Sequence, residues 1–168
     1  PNDNIDDYDE IETNNDIEKY NYYLTKEGDL TVSEIRLEMQ KIMQKHAGVF
    51  RNDKLLESGV KKMNEIYKLF DRVHIDDKSK LYNTEFIELL ELKNLIENAL
   101  VTIHSANFRK ESRGSHSHED YPERDDKNWM KHTISRIKDG IVSLDKRSVI
   151  TLPLNDEIHS IPPAKRVY

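Results

Sequence analysis

The sequence predicts a mainly α-helical protein: a three-helix antiparallel bundle followed by an extended charged strip, a small β-hairpin and an extended C-terminal tail. Three observations predict this class. Apolar residues recur at helical spacing in three segments between residues 31 and 107. That spacing stops after Ala106, where charged and imidazole side chains surround Gly114. An Asp139-Gly140 pair then separates two segments that tolerate β structure, which is a hairpin signal.

The composition suits one domain with a modest core, because 36% of the 168 residues are hydrophobic and 35% are charged. The chain has no cysteine, which excludes disulfides, thiolate metal ligands and a cysteine nucleophile within it. No apolar segment of the sequence approaches the roughly 18–20 residues that span a bilayer. Any membrane association is therefore expected to be indirect.

Residues 1–30 form a separate acidic extension. They carry a net charge of −8, against +2 for the rest of the chain. Asn, Asp and Ile dominate this extension, and a segment so poor in apolar side chains is predicted to be disordered. The nearly neutral body argues against nucleic-acid binding, which needs a basic face to neutralise phosphates.

The bundle is predicted over residues 31–107, and its first helix follows Thr31. Thr31 and Glu34 offer a capping box, and Gly48 is placed to end the helix. A second helix is predicted from residue 53 to about residue 70, where Gly59 weakens it by about 1 kcal/mol relative to alanine. The apolar stripe of the first helix is Ile35, Met39, Ile42 and Met43, and that of the second is Leu56, Val60, Met63, Tyr67 and Phe70.

The third helix is predicted to be the central one. Asn83 is a good N-cap for it, and apolar residues then cover more than one of its faces. Those residues are Phe86, Ile87, Leu89, Leu90, Leu92, Leu95, Ile96, Ala99, Leu100 and Ile103. Three such stripes are usually buried together in an antiparallel bundle, so they are interpreted as core.

Residues 108–168 are predicted to hold the charged strip (residues 109–126), the hairpin and the tail. The two hairpin strands are expected within residues 129–137 and 141–151, on either side of the Asp139-Gly140 turn. The final IPPAKRVY contains adjacent prolines, which disfavour helix, so an extended tail lying on another surface is expected.

The strip offers several weak chemical interpretations. His116 and His118 project from one side of an extended segment and suggest a metal site, but the flanking helices are the wrong context for one. Ser112 or Ser115 beside His116 suggests a nucleophile and base, yet no nucleophile elbow surrounds them. The cations Lys110, Arg113 and Arg124 suit an anion, but internal or intersubunit ion pairs are favoured because carboxylates share the strip.

Five segments carry a resemblance to a known family. The chain resembles the C-terminal part of the flavoprotein subunit of succinate dehydrogenase and fumarate reductase, over about residues 34–168. The segments are RLEMQKIMQKHAGVFR (36–51), LLELKNLIENALVTIHSA (89–106), RKESRGSH (109–116), YPERDDKNWMKHT (121–133) and PPAKRVY (162–168). The family pattern ESRGAHxR has alanine and arginine where this chain has Ser115 and His118.

The resemblance implies a helical domain whose charged strip folds back on an FAD-binding domain and approaches an iron–sulfur subunit. In that family the glycine-rich dinucleotide motif, the flavin-linking histidine and the dicarboxylate-binding residues lie upstream, and this chain lacks those motifs. It is therefore expected to bind no cofactor and no metal, and to be inactive alone. FAD is expected in the partner flavin domain and iron–sulfur clusters in the partner subunit, with membrane-anchor subunits as indirect partners.

The strip and tail are accordingly predicted to be a docking surface with an assembly role rather than a catalytic one. Its predicted members are Arg109, Glu111, Arg113, His116, Arg124, Asp125 and Arg166. A chain that opens on Pro1 is expected to be a split polypeptide or a fragment of the flavoprotein subunit. The implied location is the matrix side of the mitochondrial inner membrane, with the cytoplasmic face of a bacterial membrane as the alternative. The alternative functions are the C-terminal domain of a fumarate reductase or an L-aspartate oxidase, or a free interaction module.

Overall fold

A computed structural model describes residues 10–152 together with Asn155, His159 and Ala164. The predicted class is confirmed, because the described chain is mainly helical with one antiparallel hairpin. Helices α2, α3 and α4 pack on one another to form the bundle. The helices are α1 (Glu10–Thr25), α2 (Val32–His46), α3 (Asp53–Leu69), α4 (Thr84–Phe108) and α5 (Asp126–Trp129), with a 3-10 turn at Phe70–Arg72. The strands are β1 (Leu30–Thr31), β2 (Phe50–Arg51), β3 (Val73–His74), β4 (Ser117–His118), β5 (Lys131–Lys138) and β6 (Ile141–Ser148).

Helix α1 corrects the prediction that residues 1–30 are a disordered arm. Residues 1–9 lie outside the described part, but Glu10–Thr25 is helical and its last turns reach the core. Tyr23 and Leu24 are buried, and the ring of Tyr20 stands 4.5 Å from that of Phe86. The acidic composition of the extension as a whole gives no sign of this small cluster of aromatic and aliphatic side chains. The cluster anchors the helix, in which residues 13–19 are exposed to solvent.

Helix α2 begins with the predicted capping box. The backbone N–H of Thr31 donates to Glu34 Oε2 at 2.8 Å, and the N–H of Glu34 donates to Thr31 Oγ1 at 3.3 Å. The helix ends at His46 with Ala47 as its C-cap, and Gly48 follows directly, where a helix-ending glycine is expected. Its buried residues are Val32, Ile35, Met39, Ile42 and His46.

Helix α3 covers the predicted segment and is capped by Asn52, whose side chain accepts from the N–H of Leu55 at 2.9 Å. Its inner face is rotated slightly from the predicted one, because Val60 and Tyr67 are only partly buried. The buried set is Leu56, Gly59, Met63 and Ile66, followed by Phe70. A Cβ at Gly59 would lie 2.5 Å from the Cβ of His46 and 2.5 Å from Ile103 Cδ1, so this glycine permits the close approach of the three helices.

Helix α4 is central, as predicted. Asn83 caps it by accepting from the N–H of Phe86 at 2.8 Å, and 25 residues follow. Two predicted core residues, Ile87 and Leu95, are exposed, and Leu90 is only partly buried. The buried residues of α4 are Phe86, Leu89, Leu92, Ile96, Ala99, Leu100, Ile103 and Ala106.

The hairpin of β5 and β6 turns at Asp139 and Gly140, as predicted. Both turn residues have positive φ, 51° and 74°, which is the type I′ geometry that suits a two-residue connection. A Cβ on Gly140 would lie 2.3 Å from the ring of Tyr67, so the turn packs closely on α3. The predicted first strand starts later than expected, because residues 126–129 form α5 instead.

A two-residue parallel pairing ties the charged strip to the bundle. Phe50 pairs with Ser117 and Arg51 with His118, and the N–H of Glu119 donates to the carbonyl of Arg51 at 2.7 Å. The strip therefore leaves the end of α4 and returns to the start of α3.

None of the described helices is long and apolar enough to cross a membrane.

Candidate functional site

The charged strip is organised around Glu111, whose side chain is fully buried. Its carboxylate accepts from Arg109 Nη1 at 2.5 Å, from Arg113 Nε at 2.8 Å and Nη2 at 3.0 Å, and from the N–H of Asp125 at 2.9 Å. Burial acts to raise the pKa of Glu111, but the hydrogen bonds from Arg113, Asp125 and Arg109 outweigh it and lower the pKa. The carboxylate is therefore ionised at neutral pH.

The two arginines that bind Glu111 have further partners within the chain. Arg109 donates to the carbonyl of Trp129 at 3.1 Å and also to that of Lys131, and its guanidinium carbon stands 5.5 Å from the centre of the Trp129 ring. Arg113 Nη2 forms a second ion pair with Asp126 at 2.6 Å. Both guanidinium charges are thus neutralised inside the strip, as expected for ion pairs within a segment rich in both signs.

The remaining members of the predicted docking surface lie at its edge. Asp125 caps α5, because its Oδ1 accepts from the N–H of Asn128 at 3.0 Å. Arg124 pairs with Asp126 at 2.9 Å and donates to the carbonyl of Ala164 at 2.9 Å. Arg166 lies outside the described residues. The structure therefore gathers Arg109, Glu111, Arg113, Arg124 and Asp125 into one cluster, and their role in docking stays a prediction.

His116 belongs to a different contact. Its Nδ1 lies 2.9 Å from Arg51 Nη1, and its Nε2 lies 3.1 Å from the carbonyl of Arg109. Since a guanidinium only donates, Nδ1 must accept, and the proton sits on Nε2. Burial lowers the pKa of His116, and the positive charge of Arg51 lowers it further against the opposing bond to Arg109. His116 is accordingly a neutral imidazole. The pair of Ser112 and His116 that the sequence suggested as nucleophile and base is not formed, because the Ser112 hydroxyl donates to the carbonyl of Tyr121 at 2.8 Å.

His118 packs against the start of α3 with no exposed side-chain surface. Its Nε2 lies 3.2 Å from Asp53 Oδ1 but forms no hydrogen bond with it. Asp53 Oδ1 accepts from Lys110 at 2.5 Å, and Asp53 Oδ2 accepts from Tyr121 at 3.0 Å. Burial acts to raise the pKa of Asp53, but these donors prevail and lower it. Asp120 accepts from the N–H of Asp53 at 2.8 Å.

Asp53, His118 and Asp120 place three potential metal ligands within 4.8 Å of one another. Lys110 donates to the same oxygen of Asp53 that faces His118. His116, which the sequence analysis considered beside His118 as a weak metal motif, faces Arg51 instead. The hydrogen bonds of Lys110, Asp120 and Tyr121 to Asp53 attach the strip to α3.

Sequence reasoning missed the contribution of the residues around the start of α3. Arg51, Asn52 and Asp53 each contact the strip, and Asn52 donates to Glu119 Oε2 at 2.9 Å. Their partners in the strip lie 57–68 residues away along the chain, so no local pattern reveals them. The only available signal is that Arg51 closes one of the segments that carry the family resemblance.

The fold and the strip together define a class: a helical domain whose ion pairs and hydrogen bonds hold a charged segment against its own bundle. The family model described as the C-terminal domain of the fumarate reductase flavoprotein matches residues 36–168. The chain belongs to this family, which confirms the resemblance.

Individual relatives agree with the family. The chain is similar to the succinate dehydrogenase flavoprotein subunit of Rickettsia bellii, with 48% identity over 142 residues that make up 84% of this chain and 24% of the relative. The mitochondrial succinate dehydrogenase [ubiquinone] flavoprotein subunit of Oryza sativa is 45% identical over 141 residues, 84% of this chain and 22% of the relative. The chain thus spans about a quarter of the length of the curated relatives that it matches.

Solved structures show the same fold. A variant of the Escherichia coli quinol fumarate reductase superposes with a TM-score of 0.84 at 34% identity, over 95% of this chain and 26% of that one. Mycobacterium smegmatis Sdh1 superposes with a TM-score of 0.69 at 18% identity, over 81% of this chain and 24% of that one, which supports the fold alone.

Proposed function

We propose that this chain is the C-terminal part of a succinate dehydrogenase flavoprotein subunit and that it serves assembly and support rather than catalysis. The observation that carries the proposal is the 48% identity to a succinate dehydrogenase subunit along most of the chain. The fumarate reductase flavoprotein subunit of Escherichia coli is less similar, at 36% over 148 residues. These identities favour succinate dehydrogenase over the alternatives that the sequence left open.

FAD does not fit the residues of this chain. The sequence contains no glycine-rich phosphate-binding turn. The strip arginines that suit a pyrophosphate are already bonded to Glu111 and Asp126. We therefore place FAD in the flavin-binding portion of the subunit, and we expect this chain alone to be colourless and inactive.

The assembled enzyme is proposed to oxidise succinate to fumarate and to pass electrons through FAD and the iron–sulfur clusters of a partner subunit to quinone. Membrane-anchor subunits would be contacted indirectly. A location on the matrix side of the mitochondrial inner membrane is supported by relatives whose names call them mitochondrial, and the bacterial alternative is supported by the Rickettsia relatives.

Reconstitution tests the proposal. The full chain is mixed with the flavin-binding portion of the Rickettsia bellii subunit, and the complex is isolated for flavin absorbance and for dye-linked assays in both directions. We expect a yellow complex that oxidises succinate faster than the flavin-binding portion alone. Flavin binding and succinate oxidation by this chain alone would contradict the proposal, and so would a failure of the two parts to associate.

A further inference from the structure

Arg51 is a partly buried cation that faces no carboxylate within ion-pair distance in the described part of the chain. Its Nε donates to the carbonyl of Gly48 at 2.8 Å, and its Nη1 donates to His116 at 2.9 Å. The neighbouring arginines differ, because Arg109 is paired with Glu111 and Arg113 is paired with both Glu111 and Asp126.

Neither partner of Arg51 can balance its charge. The carbonyl is neutral, and His116 accepts from Arg51 through a neutral ring. Burial lowers the pKa of Arg51. Withdrawing a charge from water without a counter-ion is unfavourable, and natural proteins usually pair such a group. An anion from outside the described residues would balance this charge.

The surroundings of Arg51 suit a carboxylate. It lies at the wall of an open cavity of about 370 Å³, between α4 and β5, which His116 also lines. Hydroxyl groups from both elements surround the same space and can donate to an anion. They belong to Thr102, Ser105, Thr133 and Ser135. Arginine binds a carboxylate through two parallel hydrogen bonds, which gives the pair direction as well as strength.

We propose that Arg51 binds the carboxylate of an aspartate or glutamate side chain on the flavin-binding portion of the subunit. The inference rests on the proposed function, since that portion is the missing surface. The shape of the cavity decides between this source and a free dicarboxylate. Small-molecule sites bury roughly 70–90% of their ligand, whereas this cavity is broadly open to solvent.

The experiment compares three variants of the full chain in association with the flavin-binding portion. Arg51→Gln removes the charge, Arg51→Lys keeps it without the forked donors, and Arg136→Gln is a control that removes the same charge from an exposed position on β5. We expect Arg51→Gln to weaken association at least tenfold, Arg51→Lys to weaken it less, and Arg136→Gln to leave it unchanged.

Two further measurements separate binding from a structural role. The melting temperature of the isolated Arg51→Gln chain should stay within about 2 °C of the parent, because losing an unpaired buried charge offsets the loss of its two hydrogen bonds. The isolated chain is also titrated with succinate and with malonate by calorimetry. Saturable binding that Arg51→Gln abolishes would assign the site to a free dicarboxylate and overturn the docked side chain as its occupant.

The remaining outcomes are distinguishable. Equal association of the parent, Arg51→Gln and Arg136→Gln chains overturns the role of Arg51 and leaves the proposed function standing. A large drop in the melting temperature of both Arg51 variants assigns this residue a structural role and also overturns the proposal. Failure of the parent chain itself to associate overturns the proposed function together with this inference.

Discussion

Replacing Glu111 with glutamine tests whether the buried carboxylate organises the strip. The substitution keeps the size of the side chain and one carbonyl oxygen, but it removes the charge that Arg109 and Arg113 share. It also turns an amide N–H₂ group toward donors, including the N–H of Asp125. The variant therefore perturbs electrostatics and hydrogen bonding without creating a cavity.

The magnitude follows from the partners that remain. Removing one member of a buried ion pair typically destabilises a protein by about 3–5 kcal/mol. Here Arg109 keeps the carbonyls of Trp129 and Lys131, and Arg113 keeps Asp126. The lower end of the range applies, so we expect a loss of about 3 kcal/mol, which lowers Tm by roughly 6–12 °C in a chain of this size.

The chain carries its own reporter for this assay. Trp129 is the only tryptophan, is buried, and stands against Arg109, Phe108 and Lys146. Urea unfolding is followed by its fluorescence and by far-UV circular dichroism, which reports the helices. We expect the fluorescence midpoint to fall more than the dichroism midpoint, because the strip loses its centre while the bundle keeps its core.

Glu57→Gln is the matched control, since Glu57 is an exposed residue on α3 and the chemical change is the same. Its effect should stay within about 0.5 kcal/mol. If Glu111→Gln behaves like Glu57→Gln in both signals, the carboxylate does not hold the strip together and the reasoning is refuted.

Three other outcomes follow from the packing. Leu89→Ala should lower the free energy of unfolding by about 2–5 kcal/mol because Leu89 is fully buried, whereas Leu90→Ala should lower it less because Leu90 is only partly buried. Urea midpoints at unchanged slope measure both losses, and equal losses would contradict this expectation. Gly140→Ala should lower the free energy of unfolding by about 1–3 kcal/mol, since the added Cβ meets the Tyr67 ring and the backbone has φ of 74°. An unchanged melting temperature would show that the turn does not pack against α3. Stability should also fall in acid: the lowered pKa of Glu111 stabilises the fold above the unfolded value of about 4.3, and this contribution is lost as pH falls through the lower folded pKa. The advantage of the parent chain over Glu111→Gln should therefore shrink below about pH 4, and an advantage that grows in acid would contradict the assignment.

Local features of the fold were predictable because their causes lie within a few residues. The capping box of Thr31 and Glu34, the cap at Asn83 and the Asp139-Gly140 turn are each specified by neighbouring side chains. Helical spacing likewise identified α2, α3 and α4.

The strip was less predictable, for two physical reasons. A glutamate is normally solvated, so nothing local to Glu111 indicates that it is the most buried group of the strip. The contacts of Arg51 and Asp53 with the strip join residues 57–68 positions apart and depend on the bundle placing them together. Helix α1 was missed for a related reason, because Tyr23 and Leu24 become core residues only once α3 and α4 provide a surface for them.

The position of α1 also bears on where this domain can be cut. The family match begins at residue 36, within α2, yet the folded unit reaches back into α1. Excision at the family boundary would remove the N-cap of α2 and would uncover the aromatic faces of Phe70 and Phe86, which α1 covers. Exposed aromatic patches promote self-association. A shortened domain would therefore aggregate for reasons unrelated to its natural partners. A fragment that keeps the folded unit intact has to start near residue 10.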